Sequence, residues 1–166
     1  MSELAFLSPD RATAEAVMRS PLERALAHAP EGIEDISLQT GVLEVRGEVE
    51  GLARDGFELV QLTQERALVL CPFEDTAVLR ATLRSRFRLV LDMTAAYAGL
   101  RVRGEIVMRR VTDLDLEEVP AVGALAHVQA LVLRDDEATF RVFVPQEYGH
   151  YVAEVVADAA AGVSAS

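Results

Sequence analysis

Asp113-Leu114-Asp115-Leu116-Glu117-Glu118 sets four carboxylates in six residues, a density that would suit a calcium loop if alternate side chains converged on one ion. An EF-hand loop needs glycine at its sixth position and a bidentate glutamate at its twelfth. Position six from Asp113 is Glu118, so the pattern fails and a solvated acidic loop is expected. His28, His127 and His150 stand far apart, and none is spaced as an H-x-x-x-H pair or as a C-x-x-C type partner of Cys71, so no zinc spacing exists. His127 lies among Ala124, Leu125, Ala126, Val128 and Ala130 and reads as a core or half-buried histidine on a strand. Cys71, just before Pro72, reads as a small buried hydrophobe.

Phosphate loops need glycines that let backbone approach pyrophosphate at a helix start. The ten glycines are scattered singly and no G-x-G-x-x-G occurs, which excludes a Rossmann-type dinucleotide site. A nucleophile elbow, G-x-S-x-G, is also missing: Gly162-Val163-Ser164-Ala165-Ser166 ends in serine. All sixteen basic residues are arginine, so Schiff-base chemistry, pyridoxal-phosphate attachment and a phosphate-loop lysine are ruled out. Arg101 and Arg103 fall on one face of a strand, with Arg109-Arg110 soon after. That spacing could serve an anion or an acidic partner, since guanidinium binds carboxylate bidentately. With twenty-seven acids in the chain, intramolecular pairing is the preferred reading.

The framework for these residues is a single acidic domain. Its 166 residues carry a formal charge of −11 and are 51% hydrophobic. A chain of this length buries roughly 70% of the surface exposed when unfolded, enough for a core without metal or disulfide support. The acidic balance argues against nucleic acid and anionic membrane, both of which select cationic surfaces. No eighteen-residue apolar run and no basic-then-apolar leader is present, so neither a membrane span nor a signal peptide is expected. One cysteine permits no internal disulfide, in keeping with a cytoplasmic setting.

The chain opens with an expected helical extension, residues 1–19, including a helix over Thr13–Arg19. Ser20-Pro21-Leu22-Glu23 has capping-box form with proline at the first helical position, predicting a helix with Leu22, Ala25, Leu26 and Ala29 on one face. Ile36 to Val49 reads as two short strands or one bent strand, broken at Thr40-Gly41. A hairpin is predicted over Phe57–Leu62 and Arg66–Cys71 around Gln64-Glu65. A helix over Phe73–Phe87 follows, with Val78, Leu79, Thr82, Leu83 and Phe87 on one stripe. Then come a strand over Arg88–Met93, the small residues Ala95–Gly99, a strand over Leu100–Arg103, a short helix over Glu105–Val111 and a loop over Thr112–Pro120. Leu125–Leu133 and Thr139–Val144 form a second hairpin. Pro145 opens a last helix through Tyr148, Tyr151, Val152, Val155, Val156 and Ala159, the aromatic edge being a candidate interface anchor. Residues 161–166 read as a flexible tail, leaving 20–160 as one domain. Hairpins separated by single helices argue for α+β, with two similar halves around an antiparallel or mixed sheet.

Asp92-Met93-Thr94, Leu100-Arg101-Val102-Arg103-Gly104 and Val111-Thr112-Asp113-Leu114-Asp115, with Pro120 and Gly123 beyond, resemble the folate-binding aminomethyltransferase superfamily typified by the glycine-cleavage T-protein. The short length, Ser20-Pro21-Leu22 and Phe140-Arg141-Val142-Phe143-Val144-Pro145-Gln146-Glu147-Tyr148 look most like the gamma subunits of heterotetrameric sarcosine oxidases, over residues 18 to 160. This resemblance implies an α+β fold of two related subdomains with antiparallel or mixed sheets and packed helices. It also implies an accessory role beside large alpha and beta subunits and a small delta subunit. FAD, FMN, NAD and tetrahydrofolate would belong to those partners, and the complex oxidatively demethylates sarcosine. The chain ends before the later domain that carries the family's arginine motif, and the glycine-rich, aspartate-containing turn is missing after Gly123. No catalytic, cofactor-binding or metal-binding residue is therefore carried over, and Asp92 and Thr94 read as structural. The alternatives are a stand-alone folate- or small-ligand-binding protein of this fold and, last, a free enzyme using Cys71 or His127.

Overall fold

The computed structural model describes residues 19–49 and 56–164. The Thr13–Arg19 helix, and the 1–19 extension apart from its last residue, lie outside the described residues. Among the described residues nine strands form two sheets, every pair antiparallel. In chain order they are β1 (Ile33–Asp35), β2 (Thr40–Arg46), β3 (Glu58–Thr63), β4 (Arg66–Pro72), β5 (Leu89–Asp92), β6 (Tyr97–Arg103), β7 (Ala121–Leu125), β8 (Val128–Arg134) and β9 (Thr139–Pro145). The helices are α1 (Thr76–Leu83), α2 (Glu105–Val111) and α3 (Gly149–Ser164). One sheet runs β1-β6-β9-β8-β7 and the other β3-β4-β2-β5.

Side-chain alternation sorts the core into three layers of contact. Along β6 and β9, Ala98, Leu100, Val102, Phe140, Val142 and Val144 face α2 and α3, while Phe143 turns the other way to meet Val42, Val60, Leu68 and Leu70 of the second sheet. On the far side of that sheet, Leu43, Val45, Ala67 and Val69 pack under Leu79 and Leu83 of α1. The result is a four-layer sandwich, helices–sheet–sheet–helix. Because β2 and β4 are covered on both faces, each holds five consecutive buried residues, Gly41–Val45 and Ala67–Cys71. Gly99 lets the sheets close: a Cβ there would stand 3.0 Å from Ile36 Cγ1 and Phe143 Cε1.

The expected α+β class and the two related halves are both present. Each half has a hairpin ending in proline, Pro72 at φ −53°, ψ 140° and Pro145 at φ −53°, ψ 135°. A one-turn 3-10 helix then leads into a helix packed on that hairpin's own sheet, through Phe73–Asp75 to α1 and through Gln146–Tyr148 to α3. Pro145 thus closes β9 and does not open α3.

Other boundaries depart from the sequence expectation for identifiable reasons. Residues 21–28 form successive turns in place of a helix. The segment lies between Pro21 and Pro30, too short to sustain a helix alone. Ser20 Oγ still accepts the Leu22 N–H at 3.0 Å, and Leu22 is fully buried among the residues under α3. The break between the first strands falls at Ile36–Gln39, where Asp35 Oδ1 accepts the Ser37 N–H and Ile36 O accepts the Gln39 N–H. Thr40 and Gly41 pair with Pro72 and Cys71 inside β2. α1 stops at Leu83, where the Ser85 hydroxyl donates to Thr82 O at 2.8 Å. Val78 is 71% exposed and Thr82 is also exposed, so the buried stripe is Thr76, Leu79 and Leu83, with Phe87 after it. Ala98 and Gly99 belong to β6. The expected Leu125–Leu133 strand begins at Val128 as β8 and forms the expected hairpin with β9, while an unforeseen strand, β7, precedes it across the two-residue turn Ala126-His127. α3 runs on through Ser164, since its small residues are mostly alanine, the strongest helix former.

Candidate functional site

Two of the concavities lie at the rim of the inter-sheet layer, whose centre is filled. At one edge a cleft of about 580 Å³ is lined by Gln39, Glu58, Cys71, Arg101, Asp135 and Arg141 among others. Arg141 Nη2 donates to both carboxylate oxygens of Glu58, at 2.8 and 2.9 Å, and its Nε donates to Asp135 Oδ1 at 2.6 Å. These bonds tie β9 to β3 across the gap. Arg101 binds Glu34 and lies 3.9 Å from Asp135, while Gln39 Nε2 reaches Glu34 Oε1 at 3.0 Å. The Gln39 bond, with help from Arg101, holds the Glu34 carboxyl below the usual carboxylate range. The charges of the cleft therefore neutralise one another, as the preferred reading of Arg101 expected. Cys71 is buried, with Sγ 3.8 Å from Thr76 Oγ1, and burial pushes its thiol up. A thiol kept protonated is a poor nucleophile.

A second groove, about 370 Å³, opens where three one-turn 3-10 helices meet. Phe73, Thr94 and Gln146 come one from each, and Leu38 and Tyr97 supply apolar walls. Asp92 and Thr94 act structurally: Asp92 Oδ1 accepts the Thr94 N–H at 3.1 Å, and Thr94 Oγ1 accepts the Val42 N–H at 3.1 Å, fixing the end of β5 to β2. Asp92 also lies 3.8 Å from Arg80. Tyr97, in the wall, has its phenol pushed up by burial.

The remaining sequence candidates are dispersed. His28 is exposed. His127, expected half-buried on a strand, is exposed at a turn. His150 sits on α3 with Nε2 3.2 Å from Glu154. Asp113, Asp115, Glu117 and Glu118 are exposed, whereas Leu116 between them is fully buried, so the loop faces water with its acids and the core with its leucine. Among the described residues no group of three or more His, Cys, Asp or Glu side chains could hold a metal ion. No helix among them is long and apolar enough to cross a membrane. Tyr148 and Tyr151 are 48% and 46% exposed, and α3 buries Val152, Ala153 and Val156 instead.

One charged cluster escaped the sequence reading. Glu44, only 2% exposed, accepts from Arg46 Nε at 2.8 Å and Arg66 Nη2 at 2.7 Å. Burial pushes its carboxyl up, but the bonds from Arg66 and Arg46 outweigh this and hold it below the usual range. The signal available was a lone acid within the apolar run Val42-Leu43-Glu44-Val45, which a buried strand tolerates only if the charge is paired.

No family model matches the sequence, and no curated protein matches it. Some solved structures are similar to it. A chain of the heterotetrameric sarcosine oxidase from Corynebacterium sp. U-96, in complex with pyrrole 2-carboxylate, is 18% identical with a TM-score of 0.75, covering 91% of this chain and 98% of that one. The aspartate kinase regulatory subunit from Thermus thermophilus is 13% identical with a TM-score of 0.47, over 77% of this chain and 97% of that one. Its counterpart from Thermus flavus is 13% identical with a TM-score of 0.46, over 79% and 98%. At 18% identity the sarcosine oxidase likeness establishes a shared fold, α+β with two antiparallel sheets, in keeping with the folate-binding-like fold implied by the sequence resemblance.

Proposed function

We propose that this chain is a non-catalytic, gamma-type accessory subunit of a heterotetrameric, flavin-dependent sarcosine oxidase, with the role of assembling and stabilising the large subunits. The observation that carries this reading is the likeness to a chain of such an oxidase over nearly the full length of both chains. The mutual neutralisation of the cleft charges and the protonated Cys71 thiol support it too, since they leave this chain a binding surface in place of a reactive centre. The partners are the large alpha and beta subunits and a small delta subunit. FAD, FMN, NAD and tetrahydrofolate act on those chains, and the complex works in the cytoplasm. Its obligate interface would bury more than roughly 2,000 Å² in total.

The test is affinity purification of the tagged chain from its native cells, with a visible absorption spectrum and mass spectrometry of what accompanies it. A yellow complex containing the other subunits is expected. A colourless, lone 18.1 kDa species would overturn the reading.

A stand-alone folate- or small-ligand-binding protein is the second reading, and the groove beside Tyr97, Phe73 and Leu38 favours it, being apolar with a few convergent polar groups. Calorimetric titration with tetrahydrofolate decides it. Absence of heat and of a thermal shift at millimolar ligand removes this reading and leaves the first untouched.

A further inference from the structure

Four of the sixteen arginines, Arg80, Arg84, Arg86 and Arg88, crowd into one short stretch, and no acid falls between Asp75 and Asp92. In a chain of formal charge −11 this is a local reversal of sign. α1 and the turn after it hold the group together: Arg80 O accepts the Arg84 N–H at 3.2 Å, and Leu83 O accepts the Arg86 and Phe87 N–H groups at 3.0 and 2.9 Å. Leu83 and Phe87 are buried on either side of residues 84–86, whereas Arg84, Arg86 and Arg88 are exposed. A helix dipole favours cations in the last turn, which accounts for Arg80 and Arg84. Arg86 and Arg88 lie beyond that turn.

The outward face of α1 is apolar beside these charges. Val78, Ala81, Thr82 and Ser85 recur at helical spacing and all are exposed, opposite the stripe that packs on the second sheet. Val78 is 71% exposed. The Thr82 hydroxyl donates back to Val78 O at 3.1 Å and the Ser85 hydroxyl to Thr82 O at 2.8 Å, so both donors are spent on the helix and little polar capacity faces outward. Arg84 stands three residues beyond Ala81 and adjoins this face. An apolar centre bordered by arginine is the make-up of a protein interface.

We propose that the outer face of α1, with Val78 at its centre and Arg84 and Arg88 beside it, docks on an acidic surface of a larger protein partner. Charge complementarity selects that partner: carboxylates meet the arginines bidentately, and Val78 enters an apolar depression between them. Nucleic acid fits the face less well, since the negative field of the remaining chain opposes a phosphate backbone. The inference rests on the subunit reading and deepens it, because it names the face by which this chain joins the large subunits and the charge they must present there.

The test expresses tagged full-length chains in the native cells in place of the untagged one and reads the flavin absorbance recovered per mole of tagged chain. Arg84→Glu with Arg88→Glu, and separately Val78→Asp, are expected to lower that ratio at least tenfold, while Arg84→Lys with Arg88→Lys keeps most of it. All three side chains are exposed, so each variant should melt with the parent, and a loss of flavin then reports docking and not folding. Full recovery with the double glutamate variant or with Val78→Asp would overturn the inference and leave the subunit reading standing. Equal loss in the lysine pair would overturn it too, by showing that charge is not the cause. Absence of flavin with the parent chain itself would remove the subunit reading and this inference with it. A gel shift of duplex DNA by the parent that the double glutamate variant abolishes would assign the face to nucleic acid instead.

Discussion

Replacing Glu44 by glutamine tests the reasoning that placed a charged group in the middle of the sandwich. Arg46 and Arg66 stand directly opposite each other in the β2–β4 register, and Glu44 lies two residues further along β2, accepting from both. Without its charge, two guanidiniums face each other across neighbouring strands, an arrangement that is itself unfavourable. A hydrogen bond to a charged group contributes about 1.5–3 kcal/mol, and there are two. Both arginines are nearly half exposed, at 47% and 45%, so each regains water when released and the gross loss is roughly halved. Glu44→Gln should therefore cost about 2–3 kcal/mol, or about 4–12 °C in melting temperature for a chain of this size. Urea titration should show a lower midpoint with an unchanged slope, since the surface exposed on unfolding is the same.

The pH dependence has a definite sign. The Glu44 carboxyl is held below its usual value of 4.5 in the folded state, so its contribution is complete above that pH and is lost as pH falls through the lower folded value. The gap between parent and variant should be widest at neutral pH and should narrow as pH falls from 4.5 through the lowered folded value. A gap under about 0.5 kcal/mol at pH 7, the size of an ordinary surface substitution, would refute the account of the cluster.

The other predictions concern packing and reactivity. A Cβ on Gly41 would stand 1.9 Å from Thr76 Oγ1 and 3.1 Å from Cys71 Sγ. Gly41→Ala should therefore cost about 2–3 kcal/mol from overpacking, and much less in a Thr76→Ala background; equal losses in both backgrounds would show that the clash is not the cause. Phe143→Ala, at the centre of the inter-sheet cluster and 2% exposed, should cost about 3–5 kcal/mol, whereas Tyr148→Ala, 48% exposed, should stay within about 0.5 kcal/mol in the isolated chain; denaturant melts of the two variants side by side check the contrast. Burial raises the Cys71 thiol, so a colorimetric disulfide reagent at pH 8 should react at least a hundredfold more slowly with native protein than with protein in guanidinium. Comparable rates would mean the thiol is accessible.

Sequence legibility followed the strength of local signals. The β3–β4 hairpin was readable because Phe57-Glu58-Leu59-Val60-Gln61-Leu62 alternates and Gln64-Glu65 interrupts it. β7 was not, because Ala121-Val122-Gly123-Ala124-Leu125 alternates weakly and its turn is Ala-His, without the Asn-Gly signature. The small residues Ala98 and Gly99 were left outside the expected strand Leu100–Arg103, yet their size serves close approach: Gly99 abuts Ile36 and Phe143, and Ala98 Cβ lies 2.6 Å from where a Cβ of Gly149 would stand. Arg141–Glu58 is a contact between residues 83 apart, and Glu44–Arg66 depends on strand register. Neither is visible until the sheets are assembled. Asp92 and Thr94 were legible as structural through the family's strand motif and the acidic loop as solvated through its charge density, whereas the bond from the Val42 N–H to Thr94 Oγ1 spans 52 residues and has no local signal.

The two halves bear on where binding is concentrated. Each half turns from its hairpin into its helix through Pro-then-3-10 geometry, and Phe73 from the first turn and Gln146 from the second both line the 370 Å³ groove. Thr94, whose hydroxyl fixes the end of β5 to β2, lies between them. The groove is thus a junction to which both halves contribute, with no reactive group of its own in evidence and with apolar walls at Leu38 and Tyr97. Whatever occupies it, a segment of a partner or a small molecule, must touch both sheets at once. Such an occupant binds only the folded sandwich, so it stabilises the whole fold by mass action. That is the physical form an accessory subunit's dependence on its partner would take.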